Sequence, residues 1–252
     1  NSYRFTLNLK EVVDDEVKVS LLTPEINERK ISYFIPKVVP GTYSVSDFGR
    51  FVSKFQAFDK KGKKLPVNNT NSNTWVIKKA KRLHRIEYWV EDTWDTKKKN
   101  VIFEPAGSNI EAKENFVVNN FAFFGYFEGM RQLPFELQVE KPAGFYGSTS
   151  LQAVMSNDTV DVFQTEDYFD LADAPIMYCE PDTVVMEIGG ADVLVSVYSP
   201  NNQMDAEFVS ANIEEILEDI DKEEHPVRTE TRERAASITA KFHPNFVALP
   251  QK

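Results

Sequence analysis

The chain has 252 residues, of which 42% are hydrophobic and 12% aromatic, and its formal net charge at pH 7 is −10. This composition is sufficient for a sizeable hydrophobic core, and its acidic balance argues against a nucleic-acid partner, which needs clustered Lys and Arg. The longest uninterrupted basic run, Lys97-Lys98-Lys99, is short and predicts a solvated loop. The single cysteine, Cys179, excludes an intrachain disulfide and a multi-cysteine metal site, and we expect a small, partly buried hydrophobic residue there.

The sequence contains no apolar run of about 18 to 20 residues, the length that a membrane-spanning helix needs. It shows no signal peptide, but it begins at Asn1 without a Met, as a chain does after removal of an export signal or an expression tag. We therefore expect no membrane span, and we favour an exported bacterial protein, periplasmic or on the cell surface, over a cytoplasmic one.

Alternation of apolar and polar residues predicts many short strands separated by Gly, Pro and Asn turns. The predicted strands cover residues 3–9, 17–22, 30–35, 51–58, 75–78, 84–90, 135–139, 160–164, 186–188 and 193–198. We expect 75–78 and 84–90 to pair as a hairpin, and we expect Gly189-Gly190 to form a hairpin turn. This spacing predicts a mainly β protein with an antiparallel β-sandwich over residues 1–165.

Residues 100–127 form a long irregular stretch whose many Phe residues predict that it is packed and not solvated. A single clear helix is predicted from Met204 to Ile220, with Asn201 or Asn202 as its cap. Its apolar face comprises Phe208, Val209, Ile213, Ile216, Leu217 and Ile220, and its acidic face is expected to be solvated. The tail from about residue 221, and 225–252 in particular, has no sustained periodicity and remains unassigned.

No motif in the chain predicts a self-contained catalytic apparatus. His84, His225 and His243 are scattered, so there is no H-E-x-x-H pair, and no serine elbow or glycine-rich phosphate loop is present. We expect His84 to be a surface or edge-strand residue. The chain therefore predicts neither a catalytic residue nor a metal ligand nor a bound cofactor.

One turn carries an unusual set of side chains. Asp47 and Arg50 follow Pro40-Gly41 closely, and Tyr43 and Phe48 frame them. The favoured interpretation is a buried or half-buried Asp–Arg pair that fixes a loop, and the alternative is a role in contacting a ligand. These residues remain the site candidates of the chain.

The string PGTYSVSDFGRFV at residues 40–52, followed by FQAFDKKGKKLPV and TWVI, resembles the start of the M61 family of metallopeptidases, the glycyl aminopeptidases. The resemblance continues through VIFEPAGSNIEA, FFGYFEGM, LPFELQVEKP and EDYFDLADAPI, and reaches MEIGGADVLVSVYS and the helix. It covers roughly residues 1–220. It departs from the family pattern at Ser46, where family members often have Arg before the Asp-Phe.

The resemblance implies the N-terminal β domain of a thermolysin-like zinc aminopeptidase, followed in residues 166–252 by the truncated start of an α+β catalytic domain. In the family, H-E-x-x-H and a downstream Glu bind the zinc, and none of these lies in this chain, so we expect it to be inactive alone. It would pack against the catalytic domain and shape the substrate cleft, with Tyr43, Asp47, Phe48 and Arg50 at the cleft or domain junction. The chain is then a fragment or a degenerate homologue.

Partners follow from the same interpretation: the missing catalytic domain, a peptide substrate of the full-length protein, or a second copy joined through exposed apolar surface. The alternative, from a different class, is a stand-alone secreted β-sandwich that binds peptides or glycans through aromatic residues such as Trp89 and Trp94. Rings that fill the core are the simpler explanation of the aromatic content.

Overall fold

The computed structural model describes residues 1–39, 44–99, 101–222 and 238–239. The predicted Pro40-Gly41 turn, Tyr43 and nearly all of the unassigned tail lie outside these residues. The described part is mainly β, as predicted, with 45% of residues in strands and 15% in helices.

In chain order the strands are β1 (Tyr3–Val13), β2 (Glu16–Leu22), β3 (Lys30–Phe34), β4 (Val52–Asp59), β5 (Lys64–Leu65), β6 (Val67–Asn71), β7 (Thr74–Lys78), β8 (Leu83–Glu91), β9 (Asn109–Glu111), β10 (Asn115–Val118), β11 (Tyr126–Phe127), β12 (Phe135–Glu140), β13 (Tyr146–Ser148), β14 (Ala153–Ser156), β15 (Val160–Thr165), β16 (Ile176–Cys179), β17 (Thr183–Ile188), β18 (Ala191–Ser196) and β19 (Ile238–Thr239). The α-helices are α1 (Asn120–Phe123), α2 (Tyr168–Ala172) and α3 (Ala206–Lys222), and 3-10 turns occupy Phe48–Phe51, Ala80–Arg82 and Glu104–Ala106.

An eight-stranded sheet is the largest element of the fold. Its order is β14-β15-β12-β1-β2-β8-β4-β5, antiparallel except for the parallel pair β1 and β12. Alternate residues of β1 are buried, including Tyr3, Phe5 and Leu7, because successive side chains of a strand point to opposite faces. The buried face packs against two four-stranded sheets, β13-β16-β10-β9 and β11-β3-β7-β6, so one core lies between the large sheet and the two smaller ones.

Aromatic rings fill this core, and their hydroxyls are hydrogen-bonded. The rings of Tyr3 and Phe135 stack 4.1 Å apart, and the Tyr3 hydroxyl accepts the Phe127 N–H at 2.9 Å. The hydroxyls of Tyr33 and Tyr88 lie 3.0 Å apart. Burial raises the pKa of Tyr33 well above its usual value, so this pair stays neutral. Many Phe and Tyr rings thus fill the core, as predicted, whereas Trp89 and Trp94 are half-buried.

Two strand predictions need correction. Residues 75–78 and 84–90 do not form a hairpin, because β7 pairs with β3 and β6 in one sheet while β8 lies between β2 and β4 in another. His84 is accordingly in an interior strand and half-buried, and not on an edge. The 3-10 turn after β7 carries the chain from one sheet to the other, which the local alternation could not indicate.

The stretch 100–127 is more regular than predicted. Apart from Asn100, which is not described, it contains the 3-10 turn Glu104–Ala106, β9, β10, α1 and β11. The expectation that its Phe residues pack is confirmed for Phe116, Phe121, Phe123 and Phe124, all buried. It is wrong for Phe103, which is 64% exposed.

The last described elements form a small unit with its own core. Strands β17 and β18 join through Gly189-Gly190, both at positive φ, which confirms the predicted turn, and α3 packs on them through Val193, Val195 and Val209. The helix begins later than predicted, and Asp205 caps it: its carboxylate accepts the Phe208 N–H at 2.7 Å.

The predicted boundary at residue 165 remains a prediction. The main core also takes Tyr168, Leu171 and Tyr178 from beyond it. Within the described residues, no helix is both long enough and apolar enough to cross a bilayer.

Candidate functional site

The predicted site turn lies where the loop after β3 meets the start of β4. The backbone N–H groups of Ser46 and Asp47 both donate to the carbonyl of Lys37, each at 3.0 Å, which closes the loop on itself. Ser46 is buried, at 7% exposure, so the residue that departs from the family pattern is part of the packed base of this loop.

Asp47 is held in a left-handed conformation with φ 50° and ψ 54°. Asp tolerates this region better than most residues because its short side chain can bond locally. Here the carboxylate accepts a hydrogen bond from Asn73 Nδ2 at 2.7 Å, and Asn73 Oδ1 in turn accepts the Gly49 N–H at 3.0 Å. Asn73 thus joins the turn to the β6–β7 hairpin.

Gly49 and Phe48 explain why the turn is tightly packed. A Cβ on Gly49 would stand 2.2 Å from the carbonyl oxygen of Ser72, so only glycine fits this approach. Phe48 is fully buried, and its ring lies 4.9 Å from that of Phe121, the second residue of α1.

Arg50 connects the turn to a different loop. Its Nε donates to the Ser46 carbonyl at 3.1 Å, its Nη1 donates to the Lys99 carbonyl, and its guanidinium carbon lies 4.6 Å from the ring centroid of Phe51. Asp47 and Arg50 therefore bind different partners: Asp47 binds the hairpin side of the turn, and Arg50 binds the loop that follows β8. The two side chains thus fix the turn through separate partners and not as the predicted Asp–Arg pair.

Two neighbouring cavities open beside this turn. The large cavity measures about 800 Å³ and the small cavity about 340 Å³, and both are bordered by Pro36, Lys37 and Tyr126. Asp47 and Asn73 line the small cavity, and Phe121, the ring that Phe48 supports, lines the large one. Of the predicted site residues, Asp47 thus reaches a cavity directly, and Phe48 and Arg50 support its surroundings.

The large cavity has three exposed apolar side chains at its rim. Exposed apolar side chains that lie together in this way are uncommon on a protein surface. Val38 is 48% exposed, Phe103 64% and Phe169 63%, and all three line the cavity. We call this region, formed by residues 36–39, 101–106, 119–126, 131–132 and 167–175, the loop face. Periodicity could not identify these residues, because they come from connections between strands.

Charged groups of both signs lie at the mouth of the large cavity. Lys37 and Arg131 line it together with Asp167 and Asp173. The Arg131 guanidinium lies 5.5 Å from the Tyr126 ring centroid, and Asp167 accepts the Asp170 N–H at 3.0 Å as the cap of α2. The loop face is therefore an apolar depression with a mixed charged margin, as a protein-binding surface has.

A buried acid stands behind the loop face. Asp92 is 2% exposed, and burial raises the pKa of its carboxyl from 3.8 to about 7, with a further contribution from the neighbouring Asp95 carboxyl. Cys179 is more deeply buried than the partial burial that was predicted, and burial raises the pKa of its thiol to about 11, which makes it unreactive.

The described residues do not include three or more His, Cys, Asp or Glu side chains placed together to hold a metal ion. The donor set that a structural or catalytic zinc needs is thus not found among them. His225 and His243 lie outside the described residues.

The sequence model of the peptidase M61 N-terminal domain matches residues 4–180. The chain belongs to this family. No curated protein matches the chain. The match ends just after β16, so nearly all of β1, strands β2 to β16, the main core and the loop face lie within it, and β17, β18, β19 and α3 lie beyond it.

A solved structure is similar to this chain in fold. An aminopeptidase N family protein from Idiomarina loihiensis superposes with a TM-score of 0.74 at 19% identity, covering 86% of this chain and 35% of that one. The M1 zinc metallopeptidase from Deinococcus radiodurans gives a TM-score of 0.39 at 11% identity, with 84% and 51% coverage. Native yeast LTA4 hydrolase gives 0.43 at 10% identity, with 88% and 33% coverage. The last two scores are too low to establish a common fold, and the chain spans about a third of the length of the first relative.

Proposed function

We propose that this chain is the non-catalytic N-terminal part of an M61-type zinc aminopeptidase, and that its loop face packs against the catalytic part and forms a wall of the substrate cleft. Membership of the M61 N-terminal domain family over residues 4–180 carries the proposal. In the full-length protein, zinc is held by residues outside the described part of this chain, and the chain supplies no step of the reaction.

The exposure of Phe103 and Phe169 supports the choice of surface. Burying a Phe side chain contributes about 1.5–3 kcal/mol, so two rings left in water beside one cavity favour a partner that covers them. The mixed charge of Lys37, Arg131, Asp167 and Asp173 suits a protein surface better than a purely apolar ligand.

The site turn has a supporting role in this proposal. Phe48 supports Phe121 in the cavity floor, and Arg50 holds the loop that leads to Phe103 through the Lys99 carbonyl. Asp47 fixes the turn through Asn73 and lines the small cavity. The turn is thus a domain-junction element, and Ser46 is one of its packed residues.

The proposal is tested in the polypeptide that joins this domain to an M61 catalytic part. Phe103→Glu places a charge on the loop face, and we expect kcat/KM for release of N-terminal residues to fall about tenfold or more, as loss of a buried anchor does. Val154→Glu, on the exposed strand β14 away from the loop face, is the matched control and should leave kcat/KM unchanged.

The same two substitutions in the 252-residue chain alone separate docking from folding. Phe103 is exposed, so Phe103→Glu should leave the thermal midpoint of this chain unchanged. Unchanged kcat/KM for Phe103→Glu in the joined protein contradicts the proposal.

A second function is favoured by the same exposed rings. A stand-alone module that binds peptides or glycans would use Phe103 and Phe169 as stacking platforms beside the large cavity. Intrinsic fluorescence titration with peptide and glycan libraries tests it, because Trp94 donates its indole N–H to the carbonyl of Glu104 at 3.2 Å and so reports on the rim. Saturable binding that Phe103→Ala and Phe169→Ala abolish supports the module, and the absence of any response excludes it. Self-association through these rings would instead appear as a concentration-dependent dimer in sedimentation.

A further inference from the structure

The small cavity lies where the loop after β3 meets the β6–β7 hairpin, and its lining is of two kinds. Polar residues are contributed by the loop and the hairpin: Lys37, Asp47 and residues 71–74. Apolar residues are contributed by β3, its following proline and β11: Phe34, Ile35, Pro36 and Tyr126. The volume of about 340 Å³ is at the lower end of the range for ligand sites, about 300–1,000 Å³, so the cavity suits a small amphipathic ligand.

One cation and one anion line this cavity, and they are neighbours in the fold. The Asp47 N–H donates to the Lys37 carbonyl at 3.0 Å, so both side chains start from the same point of the loop. Lys37 is exposed and Asp47 is half-buried. Within the described residues, neither side chain takes part in an ion pair, with the other or with a third group. Both charges are therefore available to a ligand.

The Asp47 carboxylate is held in one orientation by Asn73. Asn73 Nδ2 donates to Asp47 Oδ1 at 2.7 Å, and Asn73 Oδ1 accepts the Gly49 N–H at 3.0 Å, so the amide is fixed on both sides. The described residues donate no hydrogen bond to Asp47 Oδ2, which leaves this oxygen as an acceptor. The φ of 50° at Asp47 is uncommon for a residue other than Gly, and such conformations are frequent at binding sites.

An aromatic border separates the small cavity from the large one. Tyr126 lines both cavities, and it pairs with Phe34 across β11 and β3, with the ring centroids 5.8 Å apart. The ring of Tyr168 lies 4.6 Å from that of Tyr126 and supports it from the core. Phe34 and Tyr126 are half-buried, so they offer apolar surface to a ligand beside the two charges.

A ligand that satisfies this lining carries an ammonium, a carboxylate and an apolar part. A simple anion would leave Asp47 without a partner, and a simple cation would leave Lys37 without one. We propose that the small cavity binds a free α-amino acid as its zwitterion. The ammonium donates to the Asp47 carboxylate, the carboxylate accepts from Lys37 Nζ, and an apolar side chain lies against Tyr126. Both polar contacts are charge-assisted hydrogen bonds, the stronger class of such bonds.

This binding does not depend on the proposed function, because every group that makes it belongs to this chain. The two are connected only through the source of the ligand. Release of N-terminal residues by an aminopeptidase produces free amino acids, so a joined, active protein would hold its own class of product beside the cleft.

An NMR titration of the isotope-labelled 252-residue chain with leucine measures both the binding and its place. The N–H groups of Gly49 and Asn73 report on the small cavity, because they donate to the side chains of Asn73 and Asn71, which line it. The N–H groups of Phe103 and Phe169 report on the large cavity. We expect saturable shifts at Gly49 and Asn73, with a Kd on the order of 1 mM, and smaller shifts at the other two.

Two analogues of leucine separate its charges. Leucinamide keeps the ammonium and lacks the carboxylate, as the first residue of a peptide does, and N-acetylleucine keeps the carboxylate and lacks the ammonium. Each should bind about tenfold more weakly than leucine or worse, because each loses one charge-assisted hydrogen bond. Leucinamide that binds as tightly as leucine would show that the cavity accepts peptide N-termini, and this would overturn the proposal.

Two variants assign the contacts. Asp47→Asn keeps an oxygen acceptor for Asn73 Nδ2 and removes the charge, so the affinity for leucine should fall about tenfold while that for N-acetylleucine stays unchanged. Lys37→Met should likewise weaken leucine and leave leucinamide unchanged. Asp158→Asn and Lys60→Met make the same changes of charge at exposed positions outside both cavities, and they should bind leucine like the wild type.

The contradicting outcomes are specific. The proposal is overturned if Gly49 and Asn73 show no saturable shift up to about 50 mM leucine, or if leucine shifts only the large-cavity reporters. If Asp47→Asn does not fold, Lys37→Met decides, because Lys37 is exposed: an unchanged affinity for leucine in this variant has the same consequence. All these measurements use the chain alone, so their failure leaves the docking test with Phe103→Glu unaffected.

Discussion

The core between the three sheets and the loop face contain the same types of side chain in opposite environments. In the core, Tyr3, Phe5 and Phe135 are at most 1% exposed, and their rings stack on each other. On the loop face, Phe103 and Phe169 are more than 60% exposed beside an open cavity. The strands thus bury the aromatic residues of the domain in its own core, whereas its loops leave two aromatic rings exposed beside the large cavity.

The largest expected effect is the difference in stability between a Phe→Ala substitution in the core and the same substitution on the loop face. Phe5→Ala should lower the free energy of unfolding by about 3–5 kcal/mol, because it leaves a cavity in a packed aromatic core. Phe103→Ala should change it by less than about 0.5 kcal/mol, because the ring is already in water. Urea unfolding of both variants measures the contrast, and equal losses would show that the loop face is a part of the core.

Gly49→Ala tests whether the site turn is packed as tightly as the core. Its new Cβ would meet the backbone oxygen of Ser72 at 2.2 Å, and backbone cannot move aside as a side chain end can. We expect a loss of about 2–3 kcal/mol in the free energy of unfolding, typical of overpacking. Ser44→Ala, exposed in the same segment, is the control; a Gly49→Ala protein as stable as this control would contradict the packing described for the turn.

The pH dependence of stability separates the base of the loop face from the core. Since the pKa of Asp92 is raised from 3.8 to about 7 in the folded state, its contribution to stability is complete below about pH 4 and is lost as the pH rises to about 7. The loss should be at most about 4 kcal/mol, because each unit of pKa difference corresponds to about 1.4 kcal/mol. Urea midpoints of the wild type and Asp92→Asn between these pH values should therefore diverge, with the wild type relatively weaker at high pH, and parallel curves would refute this.

The smallest effect is expected at Asp47. Asp47→Ala places a residue without a local hydrogen bond at φ 50° and removes the acceptor for Asn73 Nδ2, which should cost about 1–2 kcal/mol. Asp47→Asn keeps an oxygen acceptor and tolerates the same conformation, so its cost should be less than about 0.5 kcal/mol. Thermal unfolding compares them; if both variants lose equal stability, the charge of Asp47 matters more than its backbone conformation.

Local pattern predicted the strands well and their partners poorly. Tyr3–Val13 and Phe135–Glu140 follow from period-two alternation, but their parallel pairing depends on contacts more than 120 residues apart. The predicted β7–β8 hairpin was wrong. A short connection between two consecutive strands suggested a hairpin, but the 3-10 turn between them carries the chain into another sheet. The helix is capped by Asp205 and not by Asn201 or Asn202 as predicted, because the sequence does not show which residue precedes the first helical turn.

The candidate site was predictable in part. The resemblance to the M61 family selected Asp47, Phe48 and Arg50, and the structure gives each a contact in the turn. Tyr43 lies outside the described residues, and its role remains a prediction. Phe103 and Phe169 could not be recognised, because exposure of a ring in an irregular segment is a property of the tertiary structure. Asp92 had no sequence signal, because its pKa results from burial and from Asp95.

Single-cysteine protection tests the central claim most directly. Phe103→Cys and Phe169→Cys are labelled with a maleimide, with mapping by mass spectrometry, in the 252-residue chain and in the polypeptide that joins it to an M61 catalytic part. Val154→Cys is the control, and the native Cys179 thiol is buried and has a raised pKa. The account predicts rapid labelling at both loop-face positions in the chain alone, strong protection in the joined protein, and equal labelling of the control in both. Equally rapid labelling of residues 103 and 169 in the joined protein would contradict it.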